Sequence, residues 1–329
     1  MAGGSLLIGD IGGTNARFAI ADNKVPGFSD AKTLPCKDYE SAETAIKHYL
    51  GAVGAELPSV ICLAAAGPIV DRRVRFTNNH WVTSAEDLSA EFAITPVRLL
   101  NDFEAIAYSI PFLSKDDCLP IGLPPPKSLE IDHYMVAILG PGTGLGAAGL
   151  RKHGQLFIPI AGEAGHGGVA PETQVQLQIL TELRGRFDRV SSERLVSGPG
   201  LENIHWALMR IHGEKRPHLN PEEIFDAASD DSDPLAAEAV QTFFEILGQV
   251  AGDLALTLGA EDGVFIAGGV VRRYPELICD SRFRTGFERK GRHRSIMERI
   301  PTQLIMHKEP GLLGASYCVL QMAQHKRTD

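Results

Sequence analysis

The sequence predicts an α/β protein with two related halves around a central cleft. One observation is that "LLIGDIGGTNARFAI" (6–20) places two apolar strands around a glycine-rich turn, and "YMVAILGPGTGLGAAGL" (134–150) repeats this arrangement. A second is that strand-like apolar runs alternate with segments of helical spacing along the chain, as in α/β domains. A third is the length of 329 residues, which is about twice that of a typical domain.

The first half combines short apolar runs with two amphipathic segments. Apolar runs bounded by turn residues predict strands, and helical spacing that follows Ser or Thr and ends near Gly or Pro predicts helices. Strands are expected at 5–9, 16–21, 59–69 and 96–102, and helices at 41–54, 83–94 and from 103 to Pro111. The first two strands should form a hairpin around the glycine-rich turn.

The second half begins near a proline-rich segment at 119–132, which is expected to be a boundary or a surface loop. Strands are expected on both sides of the second glycine-rich turn and at 155–160, 263–271 and 302–307, and helices at 173–184, 199–213, 221–228, 234–259 and 310–325. The basic run "RFRTGFERKGRHR" (282–294) is interrupted by Glu288 and is expected to be a solvated helical face.

The charge and the cysteines exclude several classes of protein. The net charge of −9 and the pI near 5.7 argue against a nucleic-acid or anionic-membrane partner. The five cysteines include no C-x-x-C pair, which excludes a disulfide framework or a zinc site and fits a reducing, cytoplasmic compartment. The N-terminus lacks the basic segment of a signal peptide, and no apolar run has the length of a membrane span.

The two glycine-rich turns are candidate phosphate sites. Such turns expose backbone N–H groups and allow a phosphate to approach closely. The first offers Gly9, Gly12, Gly13, Thr14 and Asn15, and the second offers Gly142, Thr143 and Gly144 within "GPGTGLG". Each turn alone could be a plain hairpin, but two similar turns with Gly and Thr favour nucleotide phosphates.

Two common phosphate motifs do not fit these turns. Neither turn has the lysine of a P-loop. Gly144, Gly146 and Gly149 match the dinucleotide pattern G-x-G-x-x-G, but a strand follows them where that motif must open a helix.

Asp10 lies inside the first glycine-rich segment. A carboxylate beside a phosphate would repel it unless a cation lies between them, and Mg²⁺ binds through one or two carboxylates, phosphates and water. The sequence therefore predicts Mg²⁺ near Asp10, held directly or through water. The alternative is that Asp10 only caps the turn.

Asn101 and Asp102 stand at the C-terminal end of a predicted strand, where α/β proteins place ligands. Phosphoryl transfer to an alcohol needs a carboxylate that orients the hydroxyl and accepts its proton. Asp102 is the candidate base and Asn101 a hydrogen-bonding neighbour. The alternative is that both residues cap a helix.

The segment "GEAGHGG" (162–168) places Glu163 and His166 in a glycine-rich loop. A carboxylate can accept hydrogen bonds from two vicinal sugar hydroxyls, and an imidazole can donate or accept. A metal site is less favoured because further ligands are not nearby, and a loop with a hydrogen-bonded histidine stays open. Glu193 follows two serines and is interpreted from the residues alone as a structural acid at a helix N-terminus.

Eight motifs, in order along nearly the whole chain, resemble those of bacterial ATP-dependent glucokinases. They are "GDIGGTNARFAI", "TNNHW", "LLNDFEAIA", "GPGTGLG", "GEAGHGG", "SSERLVSGPGL", "GVFIAGGVV" and "PGLLGA". This family belongs to the hexokinase and actin-like ATPase superfamily. The resemblance implies two ribonuclease-H-like domains around a cleft, and transfer of the ATP γ-phosphoryl group to the 6-hydroxyl of glucose.

The resemblance also implies roles for individual residues. ATP phosphates would contact Gly9, Asp10, Ile11, Gly12, Gly13, Thr14, Asn15, Gly142, Thr143 and Gly144, with Gly268 and Gly269 beside adenosine. Glucose would contact Asn78, Asn101, Asp102, Glu163, His166 and Glu193. For Glu193 the resemblance reverses the structural interpretation, and for Asp102 it agrees with the role of base.

The resemblance further implies the branch, the assembly and the domain limits. ROK sugar kinases share a Glu-x-Gly-His loop but follow it with a Cys-rich zinc motif, whereas "GGVAPETQVQLQIL" contains no cysteine. The expected protein is therefore outside that branch and without structural zinc. The family implies a homodimer, and domains at 1–112 with 308–329 and at 113–307. A kinase for another hexose and a non-catalytic sugar sensor are the alternatives.

Overall fold

The computed structural model describes residues 4–76, 79–94, 96–230 and 232–325. The strands are β1 (Ser5–Ile11), β2 (Asn15–Ala21), β3 (Phe28–Pro35), β4 (Pro58–Ala65), β5 (Ile69–Val70), β6 (Arg73–Arg75), β7 (Val82–Ser84), β8 (Val97–Asn101), β9 (Cys118–Pro120), β10 (His133–Pro141), β11 (Leu145–His153), β12 (Leu156–Gly162), β13 (Gly263–Ile266) and β14 (Thr302–Ile305).

The helices alternate with these strands, as the sequence predicts. They are α1 (Ala42–Val53), α2 (Ala85–Phe92), α3 (Asp102–Ser109), α4 (Gln174–Arg184), α5 (Gly198–Ile211), α6 (Pro221–Ser229), α7 (Pro234–Leu258), α8 (Gly269–Arg272), α9 (Pro275–Cys279), α10 (Phe283–Glu288), α11 (Arg294–Met297) and α12 (Pro310–His325). None of the helices in the described ranges has the length and apolar character needed to cross a membrane.

The first compact unit comprises Met1–Ser114 and His307–Asp329. Its five-stranded sheet has the order β3-β2-β1-β4-β8, in which β1 pairs antiparallel with β2 and parallel with β4, and β4 pairs parallel with β8. Helix α12 packs on α3, where Gly314 lies so close to the carbonyl of Ala105 that a Cβ would collide with it. The last helix of the chain thereby joins the unit that the first strand begins.

The second compact unit comprises Lys115–Met306. Its sheet has the order β12-β11-β10-β13-β14-β9, with β10 antiparallel to β11 and parallel to β13. The first five strands therefore repeat the order and directions of the sheet in the first unit. This repetition confirms the prediction that each half opens with a strand, a glycine-rich turn and a second strand.

Several predicted boundaries differ from the structure. Strand β4 ends at Ala65 and β13 ends at Ile266, because the Gly-containing segments that follow leave the sheet. The predicted strand 263–271 thus contains the start of α8. Strand β3 was not predicted, since most of its residues are polar or exposed and show no strong alternation.

The prediction of a solvated helical face at 282–294 holds only for the basic side, where Arg282, Arg289, Arg292 and Arg294 are exposed. Phe283 and Phe287 in α10 are fully buried, and the helix packs against α7. Gly286 and Gly248 allow this close packing, because a Cβ at either position would collide with the backbone of the other helix. The periodic charges therefore concealed an apolar face of the helix.

Candidate active site

Three parallel strands of the first unit end at the same edge of their sheet. Ile11 in β1 pairs with Ala65 in β4, and Ala65 pairs with Asn101 in β8. Since neighbouring strands are about 4.8 Å apart, Ile11 and Asn101 are separated by about 10 Å. The first glycine turn and Asp102 therefore lie at one sheet edge, the usual position of ligands in α/β proteins.

The first glycine turn is closed by its own backbone. Gly12 N–H donates to the carbonyl of Asn15 at 2.9 Å, and the carbonyl of Gly12 accepts from Nδ2 of Asn79 at 3.4 Å. In the described part of the chain, the amides of Gly13 and Thr14 donate to no protein group. These two amides are therefore the donors that a phosphate could use.

Gly9 and Ile11, which are predicted to contact the nucleotide, lie with Asp10 within strand β1. Gly9 is buried, and a Cβ there would lie 2.8 Å from the side chains of Leu63 and Phe18. Ile11 is fully buried, and its carbonyl accepts from Ala66 N–H at 3.0 Å. Packing alone accounts for glycine at position 9, and the Ile11 side chain has no access to a ligand.

Asp10 at this edge has a raised pKa. Burial raises its pKa to about 6, while the nearby charge of Arg17 lowers the pKa and that of Glu309 raises it. Arg17 faces Asp10 in the β1–β2 register but also pairs with Glu309 at 3.2 Å. A Cβ at Gly311 would lie 3.2 Å from Oδ2 of Asp10, so this glycine at the start of α12 leaves room for the carboxylate.

Mg²⁺ is chemically suited to this position. A half-buried carboxylate is stabilised by a hard cation nearby when its neighbouring arginine, here Arg17, also pairs with another acid. Among the described residues, no group of three or more His, Cys, Asp or Glu side chains is arranged to hold a metal. Asp10 would be one ligand of Mg²⁺, and water and phosphate oxygens would have to supply the others.

Asn101 and Asp102 form the junction between β8 and α3. Oδ1 of Asn101 accepts from the amides of Phe103 at 2.9 Å and Glu104 at 3.3 Å, so Asn101 is the N-cap of the helix. Oδ1 of Asp102 also accepts from Phe103 N–H at 2.9 Å. The helix N-terminus stabilises the negative charge of Asp102. Any ligand contact of Asn101 would come from its NH₂ group.

Asn78 lies outside the described residues. Its neighbour Asn79, which the sequence analysis did not select, connects the first glycine turn to the segment before β7. The Oδ1 atom of Asn79 accepts from Trp81 N–H at 2.9 Å while its Nδ2 atom donates to Gly12. The repeated "NN" in "TNNHW" was the available signal, but it did not distinguish the two residues.

The second glycine turn joins β10 and β11 in the second unit. Gly142 N–H donates to the carbonyl of Gly144 at 2.8 Å, and the carbonyl of Gly142 accepts from Gly198 N–H at 2.8 Å. In the ranges that the structure describes, the amides of Thr143 and Gly144 donate to no protein group. This turn thus offers two amides, as does the first.

Gly268 and Gly269 lie beside the second turn. Gly268 has a φ of 110°, and a Cβ there would collide with the carbonyl of Pro141, the last residue of β10. Glycine is therefore required twice over, by the backbone angle and by the close packing. Gly269 begins α8, and a Cβ on it would meet nothing within 4 Å among the described atoms.

The loop after β12 contains Glu163 and His166, both exposed. Glu163 precedes a single 3₁₀ turn, and His166 is its last residue. Gly165 between them is buried, and a Cβ there would collide with the carbonyl of Leu145. Arg189 donates to the carbonyl of His166 at 2.7 Å. The loop is thus fixed against the second glycine turn, and Arg189 is a supporting residue that the sequence analysis missed.

Glu193 also joins this cluster. It lies in the first turn of a short 3₁₀ helix (Ser192–Arg194), so the acid is near a helix N-terminus, as the residues alone predict, but that helix precedes α5, whose N-cap is Ser197. Its Oε2 atom accepts from Leu145 N–H at 3.0 Å. Ser192 N–H donates to the carbonyl of Gly167 at 2.8 Å, which joins this turn to the preceding loop. The second unit therefore brings Glu193, the Glu163 loop and the second glycine turn together.

The repeated sheet order and the glycine turns are those of the actin-like ATPase fold. A ROK hexokinase from Thermus thermophilus shares the fold, with a TM-score of 0.66 at 19% identity, over 99% of this chain and 100% of that one. The chain belongs to the glucokinase family, which matches residues 7–322.

Individual relatives agree with this family over almost their full lengths. The chain is 40% identical to the glucokinase of Nitrobacter hamburgensis, over 96% of this chain and 97% of the relative. It is 43% identical to the glucokinase of Caulobacter sp. strain K31, over 94% and 93%. The crystal structure of a glucokinase from an Antarctic psychrotroph gives a TM-score of 0.86 at 33% identity, over 96% and 98%.

Proposed function

We propose that this protein transfers the γ-phosphoryl group of ATP to the 6-hydroxyl of glucose, giving glucose 6-phosphate and ADP. The observation that carries the proposal is the register of Ile11, Ala65 and Asn101, which brings a glycine turn and Asp102 to one sheet edge. A phosphate cradle beside a carboxylate is what phosphoryl transfer to an alcohol requires. Membership in the glucokinase family supports glucose as the alcohol.

Asp102 acts as the base in this proposal. Its carboxylate orients the 6-hydroxyl and accepts the proton as the oxygen attacks phosphorus. The hydrogen bond from Phe103 N–H holds one carboxylate oxygen of Asp102 and so fixes the direction of the Asp102 side chain. The carboxylate lies in the first turn of α3, at the positive end of the helix dipole.

The remaining acids and amides bind the sugar. Glu163, His166 and Glu193 come from one cluster of the second unit, and each can form hydrogen bonds with sugar hydroxyls. Asn101 contributes its NH₂ group, and Asn78 remains a proposed ligand on the resemblance alone. Carboxylates suit a neutral polyol better than an acyl phosphate or polyphosphate substrate, which would favour cationic side chains.

The glycine turns bind the nucleotide. The amides of Gly13, Thr14, Thr143 and Gly144 would donate to phosphate oxygens, and Gly268 with Gly269 would lie beside adenosine. Asp10 would hold Mg²⁺, with water between them. When bound, Mg²⁺ supplies positive charge to the phosphate oxygens.

The assembly and the setting of the protein are also proposals. We propose a homodimer, supported by the exposed apolar side chains Leu156, Ile158 and Ile160 on β12, an edge strand of its sheet. The five free thiols support a cytoplasmic location. Domain limits after residues 112 and 307 remain a prediction. Light scattering of the purified protein would test the dimer.

The test of the catalytic proposal is a coupled assay of ADP formation with D102A and the wild type. General-base catalysis contributes about 10²–10⁴-fold, so we expect kcat to fall by that factor. Glucose binding, measured by calorimetry, should change little, because other side chains hold the sugar. D22A, at an exposed turn, is the matched control and should retain wild-type turnover. Near-normal turnover of D102A would refute the role of Asp102.

The same assay separates the alternative functions. Wild-type rates are compared for glucose, mannose, fructose and glucosamine, and for ATP against other phosphoryl donors. The proposal requires the highest kcat/KM with glucose and ATP. A higher value for another hexose would make the protein a kinase for that sugar. Sugar binding with no turnover on any sugar would indicate a sensor.

A further inference from the structure

Glu193 makes its closest contacts with the second glycine turn. Its Oε2 atom accepts the hydrogen bond of Leu145 N–H at 3.0 Å. A Cβ on Gly144 would lie 2.5 Å from the same oxygen, so the carboxylate packs directly over the backbone of the turn. The contact joins residues 48 positions apart in the sequence.

The Glu193 carboxylate binds the turn where the β10–β11 ladder ends. Leu145 lies opposite Pro141 in the last residue pair of this ladder before the turn. A charged acceptor makes the hydrogen bond from Leu145 N–H stronger than a neutral acceptor would.

The backbone of Glu193 is itself held in place. Ser197 Oγ donates to the carbonyl of Glu193 at 2.7 Å, and the same serine caps α5. On the other side, Ser192 N–H donates to the carbonyl of Gly167. Because its backbone is held on both sides, the Glu193 carboxylate can hold the second glycine turn in place.

We propose that Glu193 is a positioning residue for the nucleotide: it holds Leu145 N–H and so keeps the amides of Thr143 and Gly144 directed towards a phosphate. Its other oxygen, Oε1, remains for a sugar hydroxyl. This inference rests on the proposed function, and adds to it that one carboxylate serves both the sugar and the nucleotide. Nucleotide affinity should depend on Glu193 even when no sugar is present.

The test measures binding of a non-hydrolysable ATP analogue with Mg²⁺, without sugar, by calorimetry. E193A removes the acceptor, and we expect the analogue to bind about tenfold more weakly, as for the loss of one charge-assisted hydrogen bond. E193Q keeps a carbonyl oxygen for Leu145 N–H and should bind within about twofold of the wild type.

A second variant breaks the same contact from the other side. The Cβ of G144A would displace the carboxylate, and because the obstructing atom is the end of a flexible side chain the fold should persist. G144A should therefore weaken analogue binding about as much as E193A. E261A is the matched control, because Glu261 is exposed and precedes β13, at the end of this strand that is remote from Gly268. The E261A protein should bind the analogue as tightly as the wild type.

Kinetics provide the readout that separates positioning from sugar binding. E193Q should raise the KM for glucose and leave the KM for ATP unchanged, whereas E193A should raise both. The inference would be overturned if E193A bound the analogue as tightly as the wild type. It would also be overturned if E193Q weakened analogue binding as much as E193A does. If E193A fails to fold, G144A decides by the same criterion. A wild-type protein that binds the analogue but phosphorylates no sugar would refute the proposed function and leave the positioning role standing.

Discussion

The raised pKa of Asp10 predicts that this carboxylate destabilises the ligand-free protein. Its pKa of about 6 compares with an ordinary value of 3.8, a difference of 2.2. At about 1.36 kcal/mol per pKa unit, the ionised group costs up to about 3 kcal/mol of unfolding free energy at neutral pH. D10N removes the charge and keeps the shape, so we expect it to be more stable than the wild type.

The pH dependence gives the sign of the effect. Because the pKa is raised in the folded state, the neutral carboxyl stabilises the fold at low pH, and this contribution is lost as the pH rises from about 4 through 6. The advantage of D10N should therefore be greatest above pH 7 and fall to about half at pH 5. Each kcal/mol corresponds to roughly 2–4 °C in Tm for a unit of this size.

The assay is thermal and urea unfolding in EDTA between pH 5 and 8. D22N is the matched control: the amides of Lys24 and Val25 donate to Asp22 and lower its pKa, so the same substitution there should slightly destabilise the protein. A D10N protein no more stable than the wild type at pH 7.5, or an advantage that does not shrink with acid, would refute the reasoning. Addition of Mg²⁺ with an ATP analogue should stabilise the wild type more than D10N.

Two further predictions concern close backbone packing. G314A should lower the unfolding free energy by about 1–3 kcal/mol or more, because its Cβ would collide with the carbonyl of Ala105. G51A, at an open site in α1, should be neutral or slightly stabilising, and urea unfolding of both variants makes the comparison. G165A should raise the KM for glucose severalfold by displacing the Glu163 loop, whereas G162A at the end of β12 meets no atom within 4 Å and should leave that KM unchanged. Equal effects within either pair would contradict these expectations.

The elements that the sequence predicted well are those with strong local signals. The two strand–turn–strand units depend on apolar runs beside clustered glycines, and both occur where expected. The junction at Asn101 and Asp102 was located correctly because a polar pair follows an apolar run. The alternative that these residues cap a helix is confirmed for Asn101. This capping is compatible with the roles proposed for both residues in the site.

Close packing has the weakest local signal in this sequence. The buried face of α10 consists of Phe283, Gly286 and Phe287, and packing against α7 shows that this face is not solvated. Gly9, which is predicted to contact the nucleotide, also lies in β1 against Leu63 and Phe18, so packing alone would favour glycine there. The same local pattern fits both roles, because glycine serves equally for a tight turn and for a close contact.

The sequence by itself determined the α/β class, the two glycine turns, the acids at their strand ends and the resemblance to the glucokinases. These properties follow from residue types and short spacings, which the printed chain contains in full. Only the tertiary structure decided that Asp10 has a raised pKa and that Glu193 holds Leu145. Both properties depend on groups distant in sequence. Burial by the packed chain, with a smaller effect of Glu309, raises the pKa of Asp10, and the β11 backbone provides the amide that Glu193 binds.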